Sequence, residues 1–200
     1  MKEERDYIRD IAEMRSLMER SSKFLSLSGL AGIMAGIYAL SGAFIVYNVF
    51  EFNPTQADLS SGLVEVILTA FIVLVLAIGT AIILSYRKAY KRHEKFWDPT
   101  ARRVLINMGV PLVTGGLLII ILVSKGMIGL AAPFTLIFYG VALYNAGKFT
   151  YEEMKSLGLI QITLGLISAY FVEYSLLFWA TGFGVVHIIY GIYIHYRHER

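Results

Sequence analysis

The chain has no cysteine among its 200 residues, which excludes disulfides and thiolate metal sites alike. Proline is scarce at four residues, and only Pro111 and Pro133 fall inside apolar stretches. Long helices are therefore left with few interruptions. Charge is thin as well. Asp, Glu, Lys and Arg make up 16% of the chain, whereas ordinary globular sequences carry about 25%. Beside 56% apolar content, that shortfall argues against a soluble domain. The sequence also lacks GxSxG, a phosphate loop, HExxH or HxxxH spacing, and paired acids within an apolar run. These gaps leave acyl transfer, nucleotide hydrolysis and zinc hydrolysis without a motif to support them.

What remains is a set of long apolar runs. A helix needs about 20 such residues to cross roughly 30 Å of hydrocarbon. Runs of that kind are read at about 25–49, 62–86, 103–124, 127–147, 155–172 and 175–196. The second is the most apolar, with thirteen Leu, Ile, Val or Phe residues between Val66 and Leu84. At about −0.3 to −0.6 kcal/mol each, they favour insertion by roughly 4–8 kcal/mol. The fifth is the weakest, diluted by Ser156, Gln161, Thr163 and Ser168. It is expected to insert as a hairpin with the sixth. Asp98-Pro99-Thr100 reads as a helix start, with Asp98 capping and Pro99 in the first turn.

Charge placement orients these runs. Of 18 Lys and Arg residues, all but Lys125 fall at the N-terminus, in 86–103, around 148–155 or at the C-terminus. Basic residues resist translocation, so that side is expected to be cytoplasmic. The sequence thus predicts six spans in the cell (inner or plasma) membrane with both termini inside. No cleavable leader is expected, because the first run starts only near Phe24, behind a segment mixing acids with bases.

Glycines recur at seven-residue spacing: Gly29 and Gly36, Gly109 and Gly116, Gly140 and Gly147, Gly158 and Gly165, Gly184 and Gly191. Seven residues are nearly two turns, so each pair shares a face on which backbones can approach closely. The predicted fold is an all-α integral membrane protein of six transmembrane helices. They form three glycine-rich antiparallel hairpins, each odd span paired with the next (residues 25–200), behind an N-terminal cytoplasmic amphipathic helix (residues 1–24).

Few polar residues enter the spans. Gln161 and His187 sit between the glycines of adjacent antiparallel spans and are expected to hydrogen-bond to each other. Asn107 and Asn145 form a similar shallow pair, and Tyr144 and Tyr190 lie near the same level. Ionisable groups inside a membrane are functional suspects, so these six are candidate ligand or transport residues. The competing reading is interhelical glue worth about 0.6–2 kcal/mol per bond. A haem would need two axial ligands at similar depth, and His187 is the one deep histidine. No cofactor and no metal site are expected.

Outside the membrane, Tyr7, Ile11, Met14 and Met18 recur at intervals of 4, 3 and 4, an apolar stripe opposite charged residues. Five acids among the first thirteen residues would be repelled by anionic lipid, so this helix is expected to contact protein. Arg87, Lys88, Lys91, Arg92 and Lys95 extend the second span as a basic arm suited to anionic headgroups. No nucleic-acid module is present. The leading expectation is a non-enzymatic polytopic protein acting by association, as a homo-oligomer or with a cytoplasmic protein partner held through the N-terminal helix. The alternatives are a small-molecule or ion transporter or channel with a polar site in the cytoplasmic half, and an intramembrane lipid-modifying enzyme.

Overall fold

The computed structural model describes residue 14 and residues 27–53, 62–93 and 96–199. Among them all regular structure is helical. Helix α1 spans Gly29–Asn48, α2 Leu63–Lys91 and α3 Pro99–Ser124. After a turn at Gly126, whose φ of +78° strains any side chain, a short 3₁₀ segment leads into α4, Ala131–Ala146. Helix α5 spans Glu153–Tyr170. The last rod begins with a 3₁₀ turn, Val172–Tyr174, and α6, Ser175–Trp179. A π-helical segment, Ala180–Val186, then runs directly into α7, His187–His198.

Among the described residues, five stretches are long and apolar enough to cross a membrane: α1, α2, α3, Ile128–Ala146 and Val172–His198. The protein is therefore an all-α, multi-pass membrane bundle. Helix α5 packs in the same bundle but is shorter and more polar, in line with its dilution by Ser156, Gln161, Thr163 and Ser168. At the start of α3 the Asp98 carboxylate accepts the Ala101 amide at 2.6 Å, with Pro99 in the first turn, as the sequence predicts.

Four rods make the centre. Helix α4 packs along α5, and α1 packs along α7 and the π-helical segment, with α6 against α4 and α5. The outer two are α2, leaning on α1, and α3, leaning on α4. Almost all of α2 is open to lipid, from Val64 to Ile83.

The glycine faces meet differently from the expected hairpins. A Cβ on Gly191 would lie 2.6 Å from the Gly29 oxygen, and one on Gly36 would lie 2.6 Å from the Gly184 oxygen. The first and last rods are thus in backbone contact. Likewise a Cβ on Gly140 would lie 2.7 Å from the Gly158 oxygen, which joins α4 to α5 rather than to α3. The reason is steric. Backbone contact requires a small face on both partners, and α2 offers Val73 and Thr69 to Gly42 of α1, while α4 offers Phe138 to Gly115 of α3. The glycine pair of α3, Gly109 and Gly116, faces open space.

Candidate functional site

The polar centre lies where the π-helical segment gives way to α7. His187 is 5% exposed and Gln161 of α5 is fully buried. Around them a hydrogen-bond pattern fixes the imidazole tautomer. The Gly182 carbonyl lies 2.8 Å from His187 Nδ1, and a carbonyl can only accept, so Nδ1 carries the proton. Gln161 Nε2 donates to the same carbonyl at 2.8 Å. The 3.3 Å approach of Gln161 Nε2 to His187 Nδ1 is therefore two donors sharing one acceptor. Nε2 of the imidazole is left as the acceptor, and the Tyr139 hydroxyl of α4 donates to it at 3.0 Å. Three rods are tied through one imidazole, which in its neutral form accepts at Nε2.

The π-helical segment makes this possible. Its wider turn directs the Gly182 carbonyl toward side chains, and π turns of this kind are frequent at working sites. A Cβ at Gly182 would lie 2.5 Å from both Gln161 Oε1 and Leu136 Cδ2, so a side chain there would push both of these side-chain ends aside. On the remaining side Phe183 stacks on the imidazole at 5.7 Å and touches Tyr139 and Trp179. Three buried polar atoms of this region have no protein partner: Gln161 Oε1, Ser168 Oγ and the Tyr190 hydroxyl.

The structure thus brings together His187, Gln161 and, one turn along α7, Tyr190. Asn107 does not join them. Its amide donates to the Arg103 carbonyl of its own helix at 2.8 Å instead of meeting Asn145. Tyr144 is exposed. The tyrosine of α4 that contacts His187 is instead Tyr139, which nothing in the sequence singles out. The two tyrosines are five residues apart on α4, a rotation of about 140°, so only one of them faces the core. The missing signals were the π-helical segment and Gly182, since neither changes the apolar pattern of the span.

A second polar cluster sits where α1 begins and α2 and α7 end. Glu199 accepts the Gly29 amide at 2.7 Å and Lys88 at 2.9 Å, while its other oxygen meets His195 Nδ1 at 2.6 Å. Lys88 also donates to the Leu27 carbonyl at 2.6 Å and to the Tyr151 hydroxyl at 3.2 Å. Burial pushes the Glu199 carboxyl up, but the Gly29 amide, His195 and Lys88 outweigh it and hold the group below the ordinary carboxylate range. Nearby, Glu153 pairs with Arg197 at 3.2 Å and with His198 at 3.3 Å.

This cluster revises the basic arm. Lys88 is turned inward onto Glu199, whereas Arg92 is exposed and donates one of its N–H groups to the His198 carbonyl at 2.9 Å. Arg87 and Lys91 are exposed, and Lys95 lies outside the described residues. Of the N-terminal stripe, Met14 is exposed, while Tyr7, Ile11 and Met18 lie outside the described residues. No group of three or more His, Asp or Glu side chains suited to a metal ion occurs among the described residues. No protein-family model, curated protein or solved structure matches the chain.

Proposed function

We propose that this protein is a small membrane transporter or channel whose working centre is the His187–Gln161–Tyr139 cluster. The observation that carries this reading is a titratable ring buried at a π-helical interruption, beside an amide oxygen that no protein group satisfies. Ionisable side chains inside a bilayer are costly and mark pathways, and interrupted helices with free backbone carbonyls are a recurrent way of building them. Glycine-to-glycine contact between the first and last rods supports a bundle that is rigid around the centre. The test is reconstitution of the full chain with a panel of protons, alkali cations, halides and small neutral solutes. His187→Asn should reduce the flux of whichever species moves. A panel that stays at the level of protein-free vesicles would remove the proposal.

The associated topology is six spans, α5 included, with both termini in the cytoplasm. Arg87, Lys91, Arg102, Arg103, Lys148, Lys155 and Arg197 sit at the end of the bundle with Glu199, and Lys125 at the other. The chain has no cysteine of its own, so single cysteines at positions 148 and 173, on either side of α5, report this directly. They should react with impermeant reagents from opposite sides of the membrane, and labelling from one side would refute six spans.

A second reading is association. The glycine pair of α3 has the same spacing as the four pairs buried within the bundle, yet no described residue lies within 4 Å of a Cβ placed on it. That face is suited to a second copy in the bilayer, in addition to any contact made by Tyr7, Ile11, Met14 and Met18.

A further inference from the structure

We infer that the bundle is two hinged halves, and that a cleft opening between them at the end with Glu199 gives the His187 centre its access to water. An apolar plug under an ion-pair lid holds this cleft shut. This rests on the transport reading above and gives its centre a gate.

The packing divides the rods. Helix α7 lies on α1, and α1 on α2, while α4 lies on both α3 and α5. Glycine contacts stiffen each half, because Gly29 meets Gly191 and Gly140 meets Gly158 at backbone distance. Between the halves the packing is uneven. At the far end α6 and the π-helical segment pack directly on α5, and α6 packs on α4 as well. At the end with Glu199, α7 keeps α1 as its close neighbour and reaches α4 and α5 chiefly through side chains. The halves therefore converge at the π-helical segment and diverge beyond it. Helices bend most readily at such turns, and rigid halves swing about a joint of this kind.

The side chains that fill the cleft come in layers. At its floor Tyr139 of one half donates to His187 of the other at 3.0 Å. Above them Leu143, Met154, Leu157 and Ile194 form one apolar cluster, each at most 9% exposed. Tyr139 packs against this cluster, which sets the plug directly on the centre. Apolar constrictions exclude water with no bond to break on opening. Tyr151 roofs the plug, its ring stacked on His198 at 4.3 Å and its hydroxyl accepting from Lys88 at 3.2 Å. Beside it Glu153 meets Arg197 at 3.2 Å and His198 at 3.3 Å. Each of these lid contacts crosses from one half to the other. The Glu199 contacts, by contrast, stay within the half made of α1, α2 and α7.

Opening asks for little movement. Ile194 lies twelve residues from Gly182, an arm of about 16–18 Å. A swing of about 10° on that arm parts the plug by about 3 Å, the spacing of one hydrogen-bonded water. The backbone contacts between glycines lie within the halves and are kept. The lid that resists the swing is weak, since Arg197 is exposed and ion pairs in contact with water contribute little each.

The test reads water access at the cleft floor in the full chain, which has no cysteine of its own. Gln161→Cys, at a fully buried position, is treated in mild detergent with a water-soluble cationic methanethiosulfonate. Tyr151→Phe combined with Glu153→Gln removes the hydroxyl and the carboxylate charge of the lid and keeps its shape. Labelling at position 161 should then quicken by about tenfold. Ser168→Cys, equally buried but on α5 beyond the centre, is the control and should stay unlabelled with either lid. An unchanged rate at position 161 overturns the inference, and so does an equal rise at position 168, which would mean general loosening. If the cleft opens while no member of the solute panel moves, the gate stands and the transport reading fails. If a solute moves while the lid substitutions leave labelling unchanged, the gate fails and the transport reading stands.

Discussion

Replacing Gly191 by alanine tests the closure between the first and last rods. The new Cβ would lie 2.6 Å from both the Gly29 oxygen and the Ile33 nitrogen, which are backbone atoms with no rotamer to yield. Ordinary contact begins at 3.4 Å, so the rods must part by about 0.8 Å. A gap of that size forfeits a quarter to a half of each nearby dispersion contact, and overpacking of this kind costs about 1–3 kcal/mol. Alanine returns about 1 kcal/mol in helix propensity, so from the upper half of that range a net loss of roughly 1–2 kcal/mol remains. For a chain of this length that lowers the thermal midpoint by about 2–8 °C. Gly109→Ala is the matched control, because no atom lies within 4 Å of its added carbon. Its midpoint should hold or rise by about 2–4 °C. Unfolding in mild detergent, followed by the fluorescence of Trp179 against Phe183, reads both. Shifts of the same sign and size in the two variants would refute the contact map. The particle mass of a Gly116→Leu variant, measured alongside, tests the second reading. An unchanged mass would dismiss α3 as a face for another copy.

Glu199→Gln should cost about 1.5–3 kcal/mol, because it removes a charge-assisted acceptor from Lys88, His195 and the first amide of α1. The effect is checked by denaturant titration of the detergent-solubilised chain. The pH dependence follows from the same carboxylate. Its folded value lies below the ordinary 4.5, so its contribution is complete above that pH and is lost as pH falls through the lower, folded value. Acidification below about pH 4.5 should therefore loosen the wild type more than Glu199→Gln. Equal acid sensitivity would mean that other carboxylates govern the response.

The sequence made the helices legible because hydrophobic length is a local property. Val66 to Leu84 reads as a span whatever it packs against, and Asp98-Pro99 caps α3 through residues three positions apart. The weakness of α5 was legible for the same reason. Partner choice was not, because it depends on which small face can meet another small face. The pair on α1 is matched by Gly184 and Gly191, more than 140 residues away, and nothing in the intervening pattern points there. Proximity of Gln161 to His187 followed from equal depth and antiparallel direction, and the structure brings them to 3.3 Å. Their shared acceptor did not follow, since a carbonyl freed by a π turn leaves no trace in side-chain composition. Depth alone does not distinguish Tyr139 from Tyr144, whereas azimuth on α4 does.

The bond between the Gly29 amide and Glu199 joins residues 170 positions apart. A ribosome adding about 5–20 residues per second completes that interval in roughly 10–35 s. For all of that time α1 is already in the bilayer with its glycine stripe bare and its first amide uncapped. Glu199, bonded to the Gly29 amide, Lys88 and His195, thus acts as the fastener between the last rod and the first. Nascent chains stalled before the last rod are the form most exposed to wrong helix partners and to quality-control proteases.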